Sequence, residues 1–422
     1  MKTKVKNAEY DEVMALPREP HKLPQKPGML FRTLMRVLGA PDLKQTGFTF
    51  AEKDMERAGD GPWLILMNHS AFIDLEIAAR ILYPRPYCII CTSDGFVGKD
   101  WLMRKLGCIP TQKFVSDITL IRDMQYTVDE LRTSILMYPE ASYSFDGTAT
   151  PLPRGLGVLV KRLGVPVVMI KTEGAFARDP LYNCLQKRKV KVSAEVSCLL
   201  DREQISELGS KDIEAVLDEA FTFDNFAWQR DNKVSIVEPF RADGLERIMF
   251  KCPHCGAEGE TKGEGTVLRC AHCGKEWSMD EFGQMHALEG ETEFSHVPDW
   301  YAWEREEVRR SLLDGTYLLD TDVSIGMMVD HKYIYMVGDG HLTHDVNGFR
   351  LTGCDGKLNY EQRPLESYSL YSDYFWYEIG DVICIGNKDC LYYCFPKKDG
   401  VVAKTRIAAE ELYRICDPKN RR

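Results

Sequence analysis

The sequence predicts an α/β domain, followed by a small cysteine-rich unit and an antiparallel β-rich domain. Between residues 60 and 200, short apolar runs alternate with amphipathic helical patterns, which is typical of a largely parallel sheet flanked by helices. Two Cys-x2-Cys pairs then occur between residues 252 and 273. Residues 315–415 are rich in Tyr, Ile, Val and Phe and are broken by Gly-Asp, Asp-Gly and Asn-Gly turns, which indicates antiparallel strands.

Size and charge restrict the classes of function. The chain has 422 residues, enough for two or three domains, and 64 acidic against 54 basic residues give a formal charge of −10. That sign argues against a nucleic-acid partner, whose phosphates are neutralised by Lys and Arg. No apolar run of transmembrane length and no signal-peptide pattern occurs, so most of the fourteen cysteines are expected to be reduced thiols of a cytoplasmic protein.

Changes in composition predict four segments. Residues 1–26 are polar and punctuated by prolines, and we expect a loosely held N-terminal arm. Residues 27–240 form the α/β domain with an amphipathic helix at its start, and residues 247–282 form the cysteine-rich unit. Residues 296–422 form a helix and the β-rich domain, which ends in a helix around Ala408–Ile415.

The helix predicted over residues 27–40 is the first element of the α/β domain. Its apolar side chains surround Arg32 and Arg36, which share one face at i, i+4 spacing. A helix of this size is about 18 Å long, which is too short to cross a bilayer. Two interpretations stay open: it lies in a membrane interface with both arginines toward anionic head groups, or it packs on the domain's own core.

The remaining elements of the α/β domain follow in order along the chain. Six strands are predicted at Trp63–Met67, Tyr87–Cys91, Cys108–Pro110, Ile135–Tyr138, Val165–Ile170 and Val190–Val196. Four helices are predicted at Ala71–Leu82, Phe96–Leu106, Ser116–Leu131 and Gly155–Leu163. Residues 203–232 complete the domain with helices, and its ligands are expected where strands end and helices begin.

A histidine and an aspartate follow the first of these strands. The segment is Asn68-His69-Ser70-Ala71-Phe72-Ile73-Asp74, so Asp74 lies five residues beyond His69 in the first turns of a helix. A carboxylate bonded to one imidazole nitrogen leaves the other nitrogen free as a base for a hydroxyl group. From the spacing alone, a helix-capping histidine with a surface aspartate fits equally well.

Three further short segments follow the Asn68–Asp74 segment along the chain. They are Gly107-Cys108-Ile109-Pro110-Thr111-Gln112-Lys113, Tyr138-Pro139-Glu140-Ala141-Ser142-Tyr143-Ser144 and Val165-Pro166-Val167-Val168-Met169-Ile170. Together with the Asn-His-x4-Asp segment, the four blocks resemble those of the lysophospholipid and glycerolipid acyltransferase family. Lys99 and the Arg154-Gly155 pair also stand where that family often has Lys-x-Glu and Lys-Gly.

The resemblance implies an O-acyltransferase of phospholipid biosynthesis. A fatty acyl group would pass from acyl-CoA or acyl-carrier protein to the hydroxyl of a lysophospholipid such as 1-acylglycerol 3-phosphate, at the inner face of the cell membrane. His69 would be the general base and Asp74 its orienting partner, with no cofactor for catalysis. The substrate-binding residues it implies are Asn68, Lys113, Glu140, Ser142 and Arg154.

Two positions depart from the family pattern. Tyr143 replaces an expected Arg, and it offers one neutral hydrogen bond where Arg offers a charged bidentate fork. Lys113 also replaces an Arg and keeps the charge without the fork. An acceptor phosphate would then be held differently, with help from Arg154 or Lys99, or the acceptor carries no phosphate monoester. An alternative function is a non-catalytic, acyltransferase-like binding or scaffold protein at a membrane surface.

The cysteine-rich unit carries a metal-site pattern. Cys252-x2-Cys255-Gly and Cys270-x2-Cys273-Gly are two knuckles separated by 14 residues, and the glycines permit the tight turns that bring four thiolates onto one ion. The pattern predicts a structural zinc site and resembles a zinc ribbon. Acidic and basic residues balance between Lys251 and Glu276, so we expect a folding or protein-contact module without nucleic acid.

Overall fold

A computed structural model describes residues 3–115 and 117–418. The described residues form three sheets: one of seven strands near the N-terminus, one of four strands in the cysteine-rich unit and one of eight strands near the C-terminus. The fold-class prediction is therefore confirmed. Residues 1–2, 116 and 419–422, which fall in the predicted arm, in the predicted Ser116–Leu131 helix and in the predicted β-rich domain, lie outside the described residues.

The N-terminal half contains the arm and the α/β domain. Its elements are β1 (Val5–Asn7), α1 (Tyr10–Met14), α2 (Met29–Gln45), β2 (Thr49–Lys53), β3 (Leu64–Met67), α3 (Asp74–Leu82), β4 (Tyr87–Thr92), α4 (Asp100–Lys105), β5 (Cys108–Thr111), α5 (Ile118–Asp129), β6 (Ser134–Met137), α6 (Leu156–Leu163), β7 (Val167–Glu173), α7 (Ala175–Arg178), β8 (Ser193–Leu200), α8 (Arg202–Glu207), α9 (Ser210–Ala220) and α10 (Asn225–Asp231).

The seven-stranded sheet is largely parallel. Its order is β2-β8-β7-β3-β6-β4-β5, and only the β7–β8 pair is antiparallel. β3 lies between β7 and β6 and is fully buried, so the residues that follow it leave the middle of the sheet. The edge strand β2 was not predicted, because all five of its side chains are exposed and give no apolar signal.

The cysteine-rich unit and the C-terminal domain follow. Their elements are β9 (Thr261–Glu264), β10 (Val267–Cys270), β11 (Glu276–Met279), β12 (Met285–Ala287), α11 (Val297–Leu313), β13 (Leu319–Met328), β14 (Ile334–Asp345), β15 (Gly348–Gly353), β16 (Leu358–Gln362), β17 (Tyr371–Trp376), β18 (Gly380–Asn387), β19 (Cys390–Pro396) and α12 (Val401–Cys416). The ribbon sheet has the order β12-β11-β10-β9, and seven strands of the C-terminal sheet have the order β16-β15-β14-β13-β19-β18-β17, all with antiparallel neighbours. The eighth strand of the C-terminal sheet is β1, which pairs with β14 in parallel.

One apolar core joins the C-terminal parts to the α/β domain. It includes Phe145 and Phe176 of the α/β domain, Trp277 of the ribbon and Val323 of the β-rich domain. The central helix α12 is almost entirely buried, and Arg305 of α11 pairs with two of its glutamates. The three parts are therefore packed against each other rather than joined by open linkers.

The N-terminal arm is held in place, contrary to the expectation of a loose segment. β1 adds to the C-terminal sheet, where Val5 is paired with Ile334 in a parallel register. Val13 is fully buried, and His21 bonds to Asp123 of α5 at 2.9 Å. The polar composition gave no sign of this pairing because a short strand is held mainly by backbone hydrogen bonds.

Helix α2 packs on the core of the α/β domain with one side, as in the second of the two arrangements expected for it. Leu43 is buried there and Gly39 faces Glu76 of α3, while Arg32 donates to the Pro84 carbonyl and Arg36 lies 4.4 Å from the Tyr83 ring. Other apolar side chains of the helix face outward, with Leu30 75% and Leu38 69% exposed. Among the described residues, no helix combines the length and the apolar character needed to cross a membrane.

Candidate active site

The loop after β3 places His69 and Asp74 at the carboxyl end of the parallel strands. Asn68 fixes the start of this loop: its Oδ1 accepts from the Thr172 N–H at 2.8 Å, and its Nδ2 donates to Ser70 Oγ at 3.1 Å. These bonds tie the end of β3 to β7. Asn68 was predicted to bind substrate, and the structure places it fully buried with its amide engaged by the protein.

His69 and Asp74 form the predicted pair. His69 Nδ1 lies 3.0 Å from Asp74 Oδ2, and the same oxygen accepts from the backbone N–H of Ser70 at 2.8 Å and of Ala71 at 3.1 Å. These two bonds require a loop over residues 69–73, which is why α3 begins at Asp74 and not at Ala71 as predicted. The carboxylate is fully buried and fixes the imidazole by its Nδ1, so Nε2 is the nitrogen left for chemistry.

The surroundings favour the neutral form of this imidazole. Burial lowers the pKa of His69, the bond to Asp74 partly offsets this shift, and the ammonium of Lys113 lowers the pKa further. A neutral imidazole at neutral pH can accept a proton from a hydroxyl group, and the adjacent carboxylate then stabilises the imidazolium that forms.

Glu140 holds the loop after β3 by hydrogen bonds. Its Oε2 accepts from the His69 backbone N–H at 3.0 Å, and its Oε1 accepts from the Thr150 N–H at 2.9 Å and from the Thr150 hydroxyl at 3.2 Å. Burial raises the pKa of Glu140 to about 7, although these bonds act in the opposite direction. Both carboxyl oxygens of Glu140 accept hydrogen bonds from the protein itself, so the contacts of Glu140 in the structure are those of a positioning residue.

Two tyrosine rings enclose the His69 imidazole. The ring centroids of Tyr138 and Tyr143 each lie 4.2 Å from that of His69, and the His69 side chain is only 17% exposed. The hydroxyl groups of Tyr138 and Ser142 are buried and have no hydrogen-bond partner among the described residues. Buried polar atoms normally have partners, so these hydroxyls are candidates for substrate hydrogen bonds.

The predicted basic residues lie in different places. Lys113 is close enough to His69 to lower its pKa, and its Nζ lies 4.1 Å from the Tyr371 ring of β17. Lys99 is close to the same strand's end, with its Nζ 5.8 Å from the Tyr377 ring. Arg154 instead forms an ion pair with Asp417 at 3.3 Å beside the end of α12. The structure therefore brings Lys113 to the histidine, and Arg154 lies elsewhere.

Sequence reasoning missed the contribution of the C-terminal sheet. Asp94, which follows β4, is fully buried and accepts hydrogen bonds from the hydroxyls of Tyr371, Tyr377 and Tyr393. Asp373 of β17 is near enough for Lys113 to lower its pKa, which burial raises to about 6. These residues are some 280 positions from the blocks they meet, and no local pattern could have indicated the contact.

One family model matches the part of the chain that contains this site. Residues 47–172, which contain the His69–Asp74 pair, Lys113 and Glu140, match the family model described as Acyltransferase. Residues 47–172 are an acyltransferase domain. Among solved structures, the chain is similar to the 1-acyl-sn-glycerophosphate acyltransferase PlsC from Thermotoga maritima, with 14% identity and a TM-score of 0.34 over 45% of this chain and 76% of that one. No curated protein matches the chain.

The acyltransferase domain is followed by the predicted cysteine cluster. The Sγ atoms of Cys252, Cys255, Cys270 and Cys273 all lie within 4.8 Å of one another, and the Cys252–Cys273 and Cys255–Cys270 separations are both 3.8 Å. A tetrahedral ion with bonds of about 2.3 Å places its thiolates about 3.8 Å apart. The cluster therefore fits a metal ion and the zinc-ribbon pattern.

The two knuckles have the same backbone conformation at their glycines. Gly256 and Gly274 have φ of 77° and 79°, and their N–H groups donate to the carbonyls of Cys252 and Cys270, both at 2.9 Å. Positive φ is accessible to glycine without strain, as the sequence pattern predicts. His254 and His272, which lie inside the knuckles, are not among the four residues of the cluster in the described part of the chain.

Proposed function

We propose that this protein transfers a fatty acyl group from an acyl thioester, acyl-CoA or acyl-carrier protein, to the hydroxyl of a lysophospholipid such as 1-acylglycerol 3-phosphate, as a step of phospholipid biosynthesis. The observation that carries the proposal is the His69 Nδ1–Asp74 Oδ2 distance of 3.0 Å, at a strand end within the region that matches the acyltransferase family. The matched domain supports acyl transfer, and the donor and acceptor are our inference.

The reaction follows from the orientation of the imidazole. His69 Nε2 takes the proton of the acceptor hydroxyl while the oxygen attacks the thioester carbonyl carbon. The tetrahedral intermediate collapses with cleavage of the carbon–sulfur bond, and the imidazolium returns the proton to the departing thiolate. Asp74 remains ionised and stabilises the imidazolium, a general-base arrangement worth roughly 10²–10⁴ in rate.

A membrane surface is the proposed place of this reaction. Lysophospholipids reside in bilayers, and the outward apolar face of α2 would lie on the lipid near the active site. Trp101 of α4 is 67% exposed and packs edge-on against Phe31 of α2 at 6.2 Å, so it extends the same apolar face. We propose peripheral binding to the inner, cytoplasmic face of the cell membrane. Vesicle co-sedimentation of wild type and of the Leu30→Glu/Leu38→Glu double variant tests this, and equal binding of both would contradict it.

We further propose that the cysteine cluster holds a structural zinc ion. The four cysteines would hold the metal as thiolates, and the ion would fix the two knuckles relative to each other. No step of the acyl transfer involves it. Trp277 of the ribbon packs edge-on against Trp300 of α11 at 5.1 Å, so the fold of the ribbon is coupled to the C-terminal helices.

The test of acyl transfer is a direct assay. Purified protein is incubated with radiolabelled palmitoyl-CoA, or palmitoyl-carrier protein, and with lysophosphatidate, glycerol 3-phosphate, lysophosphatidylglycerol and a hydroxyl-bearing lipid without phosphate. His69→Ala should abolish product formation, while the control variant His341→Ala, at a histidine exposed on the C-terminal sheet, should retain it. Product formed equally by His69→Ala would refute the assignment of the base.

One observation favours the non-catalytic alternative. The rings of Tyr138 and Tyr143 both pack against the His69 ring, and the His69 side chain is only 17% exposed to solvent. Under this alternative, folded and metal-loaded wild type forms no product with any acceptor and donor. Binding of the same protein to lysolipid vesicles, unaltered in His69→Ala, would then identify a binding protein.

A further inference from the structure

The loop that carries Lys113 packs against the C-terminal domain. Three of its consecutive residues make contacts there: Gln112 Nε2 donates to the Lys388 carbonyl at 3.1 Å, Lys113 lies over the Tyr371 ring, and Phe114 packs edge-on against Tyr368 at 5.3 Å. A cavity of about 550 Å³ lies between this loop and the strands β16 to β18. The second block of the acyltransferase domain thus meets the β-rich domain on this side.

The same strand brings a carboxyl group to the site. Asp373 lies two residues beyond Tyr371 on β17, and residues at that spacing point to the same face of a strand. The charge of Lys113 acts on the pKa values of both His69 and Asp373, which shows that the three groups share one region. Lys113 comes from the acyltransferase domain and Asp373 from the C-terminal domain.

The charges of this region do not favour a doubly charged anion. Arg406 of α12 is only 3% exposed, lies 4.5 Å from the Phe145 ring and lowers the pKa values of Glu140 and Asp373. Three cations, Lys99, Lys113 and Arg406, therefore stand against the four carboxyl groups of Asp74, Asp94, Glu140 and Asp373, and Arg406 is also paired with the buried Glu410 at 3.2 Å. A phosphate monoester would add up to two negative charges to a region without a positive excess, whereas a zwitterionic head would add none.

We propose that the C-terminal β-rich domain forms the head-group wall of the acceptor site, and that Asp373 selects acceptors whose phosphodiester head also carries an amine. The phosphodiester would pair with Lys113 and the ammonium group with Asp373, across the face of Tyr371. This inference rests on the proposed acyl transfer and narrows its acceptor from lysophospholipids in general to amine-bearing ones. Asp373 is a specificity-determining residue in this scheme and takes no part in the proton transfer.

The experiment compares two acceptors in micelles of one composition. The ratio of kcat/KM for lysophosphatidylethanolamine to that for lysophosphatidate, with palmitoyl-CoA as donor, is measured for wild type, Asp373→Asn and Asp373→Glu. Wild type should prefer the amine-bearing acceptor, Asp373→Asn should lower the ratio about tenfold, and Asp373→Glu should restore it. Asp389→Asn, at the exposed turn between β18 and β19, is the matched control and should leave the ratio unchanged.

Two results would overturn the inference. One is a preference of wild type for lysophosphatidate, and the other is an equal loss on both acceptors in Asp373→Asn, as a purely structural role would give. If no acceptor is acylated, the proposed acyl transfer is wrong, and the proposed head-group site is then tested by ligand binding alone. Saturation-transfer NMR with glycerophosphoethanolamine and glycerol 3-phosphate should show an Asp373-dependent preference for the former, and its absence refutes the wall.

Discussion

The substitution Asp74→Asn tests the chemistry of the site with little change of shape. Asp74 Oδ2 accepts all three hydrogen bonds of the residue, from His69, Ser70 and Ala71, while its Oδ1 is buried without a partner among the described residues. The asparagine can therefore keep its oxygen at the Oδ2 position and place its amide nitrogen at the Oδ1 position. What it loses is the negative charge that stabilises the imidazolium.

The expected effect is large on kcat and small on KM. A loss of about 10³ in kcat corresponds to about 4 kcal/mol of activation free energy. The buried amide nitrogen lacks an acceptor, so the free energy of unfolding should also fall by about 1–3 kcal/mol, which lowers the melting temperature by a few degrees. Because the chain has 14 cysteines, transfer should be followed with radiolabelled palmitoyl-CoA and not with a thiol reagent.

A matched variant separates the two effects. Asp201→Asn alters an aspartate that accepts the Gln204 N–H at the start of α8, away from His69. It should change stability by about 1 kcal/mol or less and leave kcat unaltered. If folded Asp74→Asn retains kcat within tenfold of wild type, the pair is not the general base and its orienting partner, and the proposed mechanism is wrong.

Three further predictions concern pH and metal. His69 must be neutral to act as the base, and its pKa is lowered, so kcat/KM should rise with pH through a pKa below 6.5 and be flat from pH 7 to 8. A kcat/KM that still rises with pH above pH 7 would contradict this assignment. Burial lowers the pKa of His344 to about 3, so the unfolded state binds one extra proton at this residue between pH 6.5 and 3. In denaturant titrations His344 should therefore contribute a loss of stability of up to about 1.4 kcal/mol per pH unit, and His344→Phe should reduce the slope by that amount. Elemental analysis should find one metal ion per chain. Cys255→Ser or a chelator should remove this ion and change the fluorescence of the Trp277–Trp300 pair. Unchanged fluorescence after metal loss would show that the fold of the ribbon is not coupled to the C-terminal helices.

Local sequence signals were sufficient for the parts of the site that lie close together in the chain. His69 and Asp74 are five residues apart after a buried strand, and the short loop between them brings the carboxylate back to the imidazole. The cysteine knuckles are determined in the same way, by two short turns that contain glycine. Six of the seven strands of the α/β sheet were predicted to within a few residues, because short apolar runs bounded by turn residues are typical of buried strands.

Three features depended on contacts between distant residues. The polar arm at Val5–Asn7 extends a sheet whose partner strand begins at Ile334. The arginines of α2 turn inward, toward Tyr83 and Pro84, and the apolar residues Leu30 and Leu38 are left on the outward face. Tyr143, which departs from the family pattern, lies against His69 as one of two enclosing rings.

The sequence by itself determined the α/β class and the four-cysteine cluster, and its four ordered blocks indicated the His69–Asp74 pair, because each of these signals is encoded by neighbours in the chain. Only the tertiary structure decided what surrounds the histidine. Lys113 meets Tyr371 across a separation of more than 250 residues, and Asp373 approaches the same lysine. Such contacts arise when separate elements pack on one core, and the periodicity of a single segment carries information only about which of its own faces is buried.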